Sequence, residues 1–311
     1  YPVFPDLVMT GKRVRGLTAS LTAGKFNVDI TRGEINRRIE SDTLKTFSVD
    51  SLTAEQRRDS LGAFGMYDAA TNRWAKFAYG TFSRDIFIIR PSIGSREGSH
   101  FGLTYLKSKD DINSIRAGVR PKENLLLGSD LLVVFDHRNI EISGQAAVSA
   151  TNQNISRGDM TDFEIDSVFY KTESQSRRDR IKQIRDILGR FITVNENLVP
   201  LNMSNLPTLA YEGGIALNYF DNSFRVNYLR RGNNFESFGQ SFVRTDVRGF
   251  NLADRVRLAN GQVILSGGYE RLQDNTADTK PATTTFMTGN FSVGYFPHVN
   301  APSVTIAYLL A

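Results

Sequence analysis

The sequence predicts an all-β chain whose antiparallel strands cross a membrane as a β-barrel, and three observations predict it. The first is strict alternation. Leu209, Tyr211, Gly213, Ile215, Leu217 and Tyr219 make one apolar face, while Ala210, Glu212, Gly214, Ala216 and Asn218 between them are small or polar. A turn is expected at Asp221-Asn222-Ser223, after which Phe224, Val226 and Tyr228 resume the apolar face opposite Arg225, Asn227 and the Arg230/Arg231 end. The unit recurs around Asn260-Gly261 and again around residues 297–302. A period of two means strands with one face in an apolar medium and the other in a wet one. The second observation is the alternation of short and long connections. The third is the placement of aromatic residues beside the short ones.

Taken in order, the strands fall into pairs joined by tight turns. The first pair is 13–21 with 26–32, across Thr22-Ala23-Gly24-Lys25. The second is 84–94 with 101–108, across Ser95-Arg96-Glu97-Gly98, and the third is 124–135 with 140–150, across Asp136-His137-Arg138-Asn139. The fourth is 209–219 with 224–230, the fifth 248–258 with 262–272, and the sixth 286–295 with 303–309. That makes about twelve strands. Between pairs the connections are long and polar: 39–83, 109–123, 151–208, 231–247 and 273–285. An outer-membrane barrel has this form, with tight periplasmic turns and longer extracellular loops. A soluble sandwich would mix its loop lengths.

Phe26, Phe135, Tyr219, Phe224, Tyr295 and Phe296 adjoin short turns, as a periplasmic aromatic girdle would. Tyr105, Tyr228 and Tyr269 lie toward the opposite strand ends, as a second girdle would. One strand breaks the pattern: Asp254 falls on the face of Phe250, Leu252, Val256 and Leu258. Either a bulge shifts the register there or Asp254 sits at the interface.

Composition narrows the alternatives. Over 311 residues, 40% are hydrophobic, mean hydropathy is −0.30, and no apolar run reaches the length of a membrane helix. A barrel escapes that test because its strands are only half apolar. The chain has no Cys, which excludes disulfides, thiolate metal sites and cysteine catalysis. Its three His (His100, His137, His298) are all expected in turns, without a second ligand at metal-binding spacing or a nucleophile alongside. No metal, cofactor or catalytic site is therefore expected. The net charge of +5 is spread along the chain rather than gathered in a basic stripe, so nucleic acid is not an expected partner. The acids at Asp110-Asp111 and between Asp274 and Asp278 lack the ligand spacing of a calcium loop.

If the short turns face the periplasm, the first strand begins and the twelfth ends outside. Bacterial barrels keep both termini in the periplasm, which calls for about fourteen strands or more. The 311 residues, read as a single barrel domain, are accordingly expected to be part of a longer chain. Residue 1 is Tyr and no signal peptide is visible, which fits either a removed signal or an internal portion. Residues 1–11 would be the tail of an extracellular loop.

The hairpins, and in particular Asp254-Arg255-Val256-Arg257-Leu258 through Gly268-Tyr269-Glu270-Arg271-Leu272-Gln273-Asp274-Asn275, resemble the large Gram-negative outer-membrane β-barrel proteins. The resemblance is architectural and covers most of the chain. It implies residence in the bacterial outer membrane, with the lipid bilayer as first partner.

The face opposite the apolar one would line a lumen. It carries Asp29 in the first pair, Arg90 in the second, and Asp130, Glu141 and Gln145 in the third. Glu212, Asn218, Arg225 and Asn227 follow in the fourth pair, and Arg255, Arg257, Gln262 and Glu270 in the fifth. Such mixed charge can bias solute passage or simply pair across strands. In the longest connection, 151–208, a helix is expected over 176–189 from the spacing of Ile181, Ile184, Ile187 and Leu188 before Gly189. It would constrict the lumen, cap the mouth, present a face to another protein, or pack on its own loop. In 39–83, Trp74 with Phe64, Met66, Tyr67, Phe77 and Tyr79 would grip a sugar or partner, or form a small satellite core. The expected function is a channel or transport conduit. The alternative is a non-conducting barrel whose loops bind surface proteins, lipoproteins or a secretion partner.

Overall fold

The computed structural model describes residues 4–41, 43–48, 65–68, 73–77, 80–115, 118, 120–169, 174–199, 207–297 and 301–310. The strands are β1 (Arg15–Ala23), β2 (Phe26–Asn36), β3 (Thr43–Ser48), β4 (Gly65–Asp68), β5 (Arg73–Phe77), β6 (Arg84–Gly94), β7 (His100–Asp110) and β8 (Glu123–Phe135). They continue as β9 (Ile140–Asn152), β10 (Leu209–Tyr219), β11 (Asn222–Arg231), β12 (Val247–Leu258), β13 (Val263–Gln273), β14 (Thr285–Tyr295) and β15 (Val304–Leu310). Two helices, α1 (Asp162–Phe169) and α2 (Gln175–Leu188), lie between β9 and β10.

Twelve strands form one sheet in the order β1-β2-β6-β7-β8-β9-β10-β11-β12-β13-β14-β15. Every ladder in it is antiparallel between consecutive members, as expected for hairpins joined in series. No ladder joins β1 to β15 among the described residues, so the sheet is open. No helix there is long and apolar enough to cross a membrane.

All twelve expected strands of this sheet are present, with ends shifted by a few residues. Three details differ. The turn before β11 is Phe220-Asp221, both with positive φ (52° and 58°), and Asn222 already pairs with Tyr219. Two left-handed residues give the turn whose twist matches a hairpin, so β11 begins two residues earlier than expected, at Asn222 rather than Phe224. The β11–β12–β13 ladders run without a register shift, so no bulge accommodates Asp254, which remains exposed on the apolar face. The connection 39–83 holds a second, three-stranded sheet, β3-β5-β4. The side chains of Trp74, Phe64, Met66, Tyr67, Phe77 and Tyr79 lie outside the described residues, so the two readings of that loop are not decided there.

Paired residues share a face and neighbours along a strand oppose it, so the ladders fix one face assignment across the sheet. On one side lie Leu17, Phe26, Phe87, Leu103, Leu127, Leu131, Ile215, Tyr269, Phe291 and Ile306. All of these are exposed, from 36% at Phe87 to 83% at Leu17. The opposite face is better covered and mostly polar: Asn27, Asp29, Thr31, Arg90, Ser92, Thr104 and Ser108 are buried there, beside an apolar patch of Ile86, Ile88, Leu106 and Leu126. A soluble sheet hides its apolar face and wets the polar one; this sheet does the reverse.

Candidate functional site on the polar face

The ladders place every candidate lumen residue but Gln262 on this polar face. Asp29 is opposite Arg90, Asp130 opposite Gln145, and Gln145 opposite Glu212. Glu141 and Asn218 stand on it nearer the short turns, Arg225 is opposite Ala216, and Asn227 is opposite Gly214. Asn251 pairs Asn227 with Glu270, and Ser223 pairs with Arg255, which extends the face to Arg257 and toward Gln262 in the following turn.

These residues form two groups rather than one ring. In the first, Arg90 binds Asp130 through two hydrogen bonds (2.9 and 2.5 Å) and lies 3.6 Å from Asp29. Asp29, 1% exposed, also accepts from Ser20 Oγ (2.7 Å) and Arg96 (2.9 Å). A buried carboxylate needs such partners, because desolvation otherwise outweighs Coulomb gain. Arg90 and Asp130 sit on strands that are not neighbours, with β7 between them. They meet over Gly102, where a Cβ would stand 2.7 Å from Asp130 Oδ1 and 2.9 Å from Arg90 Nε. Asn227 lies in the same way against Gly214. In the second group, Arg225, Arg255 and Arg257 stand toward the short turns of β11 and β12, with Glu141 in the row of Arg225, across Ala216.

His100 is not a turn residue: it opens β7, and its Nε2 is 3.2 Å from Asp130 while Nδ1 faces the Gly98 carbonyl at 2.9 Å. His137 is in a turn, and His298 lies outside the described residues. A cavity of about 640 Å³ opens beside this group, lined by His100, Asp130, Gln145, Glu212, Asn251 and Glu270. Glu212 is held by Gln145 Nε2 and by Arg231 at 3.1 Å. Among the described residues no cluster of His, Asp and Glu could hold a metal ion.

Two segments lie across the polar face, residues 4–11 and the connection 232–246. Residues 4–11 cross β6 to β10, where Leu7 and Val8, each 1% exposed, pack with Ile86, Ile88, Leu106, Leu126, Ala147 and Ala210. Phe235, from the connection 232–246, completes that core. Ser237 Oγ donates to the Val8 carbonyl (2.6 Å), Leu7 N to Gln145 Oε1 (3.1 Å), and Thr10 N to the Gly239 carbonyl (3.1 Å). Asn124 fixes the second segment, accepting from Phe238 N and donating to the Glu236 carbonyl. Residues 4–11 are thus packed on the polar face of the sheet.

The connection 151–208 goes elsewhere. Thr193 N donates to Glu123 (2.9 Å), and Asn152 donates to the Thr193 carbonyl (2.8 Å) and to Asn195 (2.9 Å). Helix α2 packs on α1 through Lys182–Asp166 and Arg185–Asp162 ion pairs, 2.8 and 2.7 Å. The Lys182 ammonium holds the Asp166 carboxyl below its usual range. The loop folds on itself, one of the four fates open to it, and leaves Ile184, Ile187, Leu188 and Phe191 exposed at helical spacing.

The aromatic residues divide less cleanly than expected. Phe26, Phe135, Tyr219, Phe224 and Tyr295 are on the apolar face beside short turns. Phe296 is not: its ring lies against the polar side of Gly294. Tyr105, Tyr228 and Tyr269 are on the apolar face in the middle of their strands, each against an aromatic one strand away: Phe87, Tyr211 and Phe250. Outside the strands, Tyr219 Oη (2.6 Å) and then Asn139 hold the Asp136 carboxyl below its usual range.

Comparison with protein-family models and with curated proteins gives no match for this chain.

Proposed function

We propose that the twelve-stranded sheet is the wall of a transmembrane β-barrel in a bacterial outer membrane, and that its polar face lines a conduit narrowed by residues 4–11 and 232–246. The observation that carries this reading is the inverted polarity of the sheet. An exposed apolar face of this extent is stable only against lipid or a large partner. Its height suits a bilayer: Leu125 to Phe135 rises roughly 33 Å at about 3.3 Å per residue. A tilt of about 45° makes that roughly 23 Å, the height of an outer-membrane apolar band. In such a setting the open edges of β1 and β15 must be paired, because unpaired backbone groups find no water in hydrocarbon. Strands that complete the wall belong to the proposal.

The conduit is read as non-catalytic. His100 engages both ring nitrogens, with Asp130 and the Gly98 carbonyl, so no nucleophile shares it. Arg225, Arg255 and Arg257 near the short turns and acids beside the 640 Å³ cavity would present opposite charge in sequence to a passing solute. A second reading, a non-conducting docking barrel, is favoured by one observation, the exposed stripe of Ile184, Ile187 and Leu188 on α2, with Phe191 just beyond its end.

Planar-bilayer recording of the purified, inserted protein tests the first reading. Discrete, salt-dependent current steps are expected. Protein that is folded and inserted but silent would overturn the conduit and leave the docking barrel.

A further inference from the structure

We infer that Arg230, Arg248 and Arg271 form a binding site for the phosphate of an anionic lipid packed against the apolar face. The inference rests on the membrane reading above and adds a ligand to it. The register brings the three together: Arg230 on β11 is directly opposite Arg248 on β12, and Arg271 on β13 is opposite Phe250, two residues from Arg248 along its strand. All three lie on the apolar face, at the end away from the short turns. Their ladder neighbours there are Tyr211, Phe250, Gln273 and Met287, none of them acidic. Among the described residues no ion pair includes Arg248 or Arg271. Like charges directly opposite one another in a ladder are destabilising. Here three arginines stand on adjacent strands where the wall would leave the hydrocarbon, and Arg230 also donates to the Thr276 carbonyl (3.3 Å).

A phosphate monoester or diester resolves that conflict, since guanidinium groups bind phosphate through paired N–H donors. The surroundings select a lipid over a free ion. Tyr211, opposite Arg230, stacks on Tyr228 at 6.1 Å, and Phe250, opposite Arg271, lies 5.8 Å from Tyr269, so Tyr228 and Tyr269 stand two residues from the arginines toward the short turns. Rings there meet acyl chains while the arginines above them meet the headgroup.

The test uses the full chain in zwitterionic detergent and the paired variant R248Q/R271Q. Diphosphoryl lipid A is the probe, phosphatidylcholine and inorganic phosphate are controls, and native mass spectrometry reads bound lipid. Lipid A is expected to be retained by wild type and at least tenfold less by the variant, with both controls ineffective. Without lipid the variant should melt no lower than wild type, because it removes repulsion. Equal retention of lipid A by wild type and variant would overturn the inference. So would equal protection by inorganic phosphate, which would mean a free-anion site. Flotation with phosphatidylcholine vesicles separates the two levels: failure to float defeats the membrane reading, whereas flotation with unaltered lipid A retention defeats only the site.

Discussion

Gly102 shows how one residue shapes the polar face. Its missing side chain lets Arg90 and Asp130 meet across an intervening strand. Gly102→Val would push those side chains apart and strand Asp29 with fewer partners. A loss of about 1–3 kcal/mol is expected from such overpacking, read by urea unfolding; an unchanged midpoint would mean that the pair relocates freely. Asp246 makes a second residue-level case. Burial pushes its carboxyl up, but hydrogen bonds from Lys280, Thr276 and Asn275 outweigh that and bring it from 3.8 to about 2. A carboxyl lowered in the folded state contributes stability above its ordinary value and loses it as pH falls. The docking of residues 274–284 should therefore be intact at neutral pH and loosen between pH 3.8 and about 2. The linkage is on the order of 2 kcal/mol. Hydrogen exchange of that loop checks this: D246N should weaken the pH dependence, and D246N/D274N should remove it, because hydrogen bonds from Thr284 N–H and Lys280 also lower the Asp274 carboxyl. The charged residues of the polar face were legible from alternation alone. Their grouping was not, because Arg90 and Asp130 are 40 positions apart and meet only through the order of the strands.

Among the elements, period-two patterning located the hairpins because each strand keeps one consistent face. The segments lying on the sheet escaped it, although signals were present. Ile86-Phe87-Ile88-Ile89 and Leu125-Leu126-Leu127 are apolar on both faces, and a strand that reads so is covered on both sides. Residues 4–11 with Phe235 cover one of those faces, and Phe87 and Leu127 on the other stay exposed. Helix α1 carried its own mark: Thr161 and Glu164 form a reciprocal capping box, each bonding the other's backbone N–H. At this scale the expected outcome concerns residues 4–11. Val8→Asp places a charge against Leu106 and Gly128, which costs several kcal/mol unless the segment leaves. Larger single-channel steps with the barrel still folded are predicted. Steps of unchanged size would show that the segment does not limit the path.

For the whole molecule, the account turns on which face meets lipid. Leu131, on the apolar face of β8, lies near the middle of the band. Leu131→Arg should cost about 2–4 kcal/mol in a bilayer. Its neighbour Leu132, on the polar face, should accept Arg at lower cost, and refolding titrations into vesicles compare the two. The most direct measurement exploits the absence of Cys from the chain. Single cysteines at Ser129, Leu131 and Val133, and at Leu132 and Val134, would carry an environment-sensitive fluorophore in vesicles with lipid-attached quenchers. The account predicts quenching at 129, 131 and 133 and little at 132 and 134. Equal quenching of both sets, or none in either, would contradict a membrane-spanning wall.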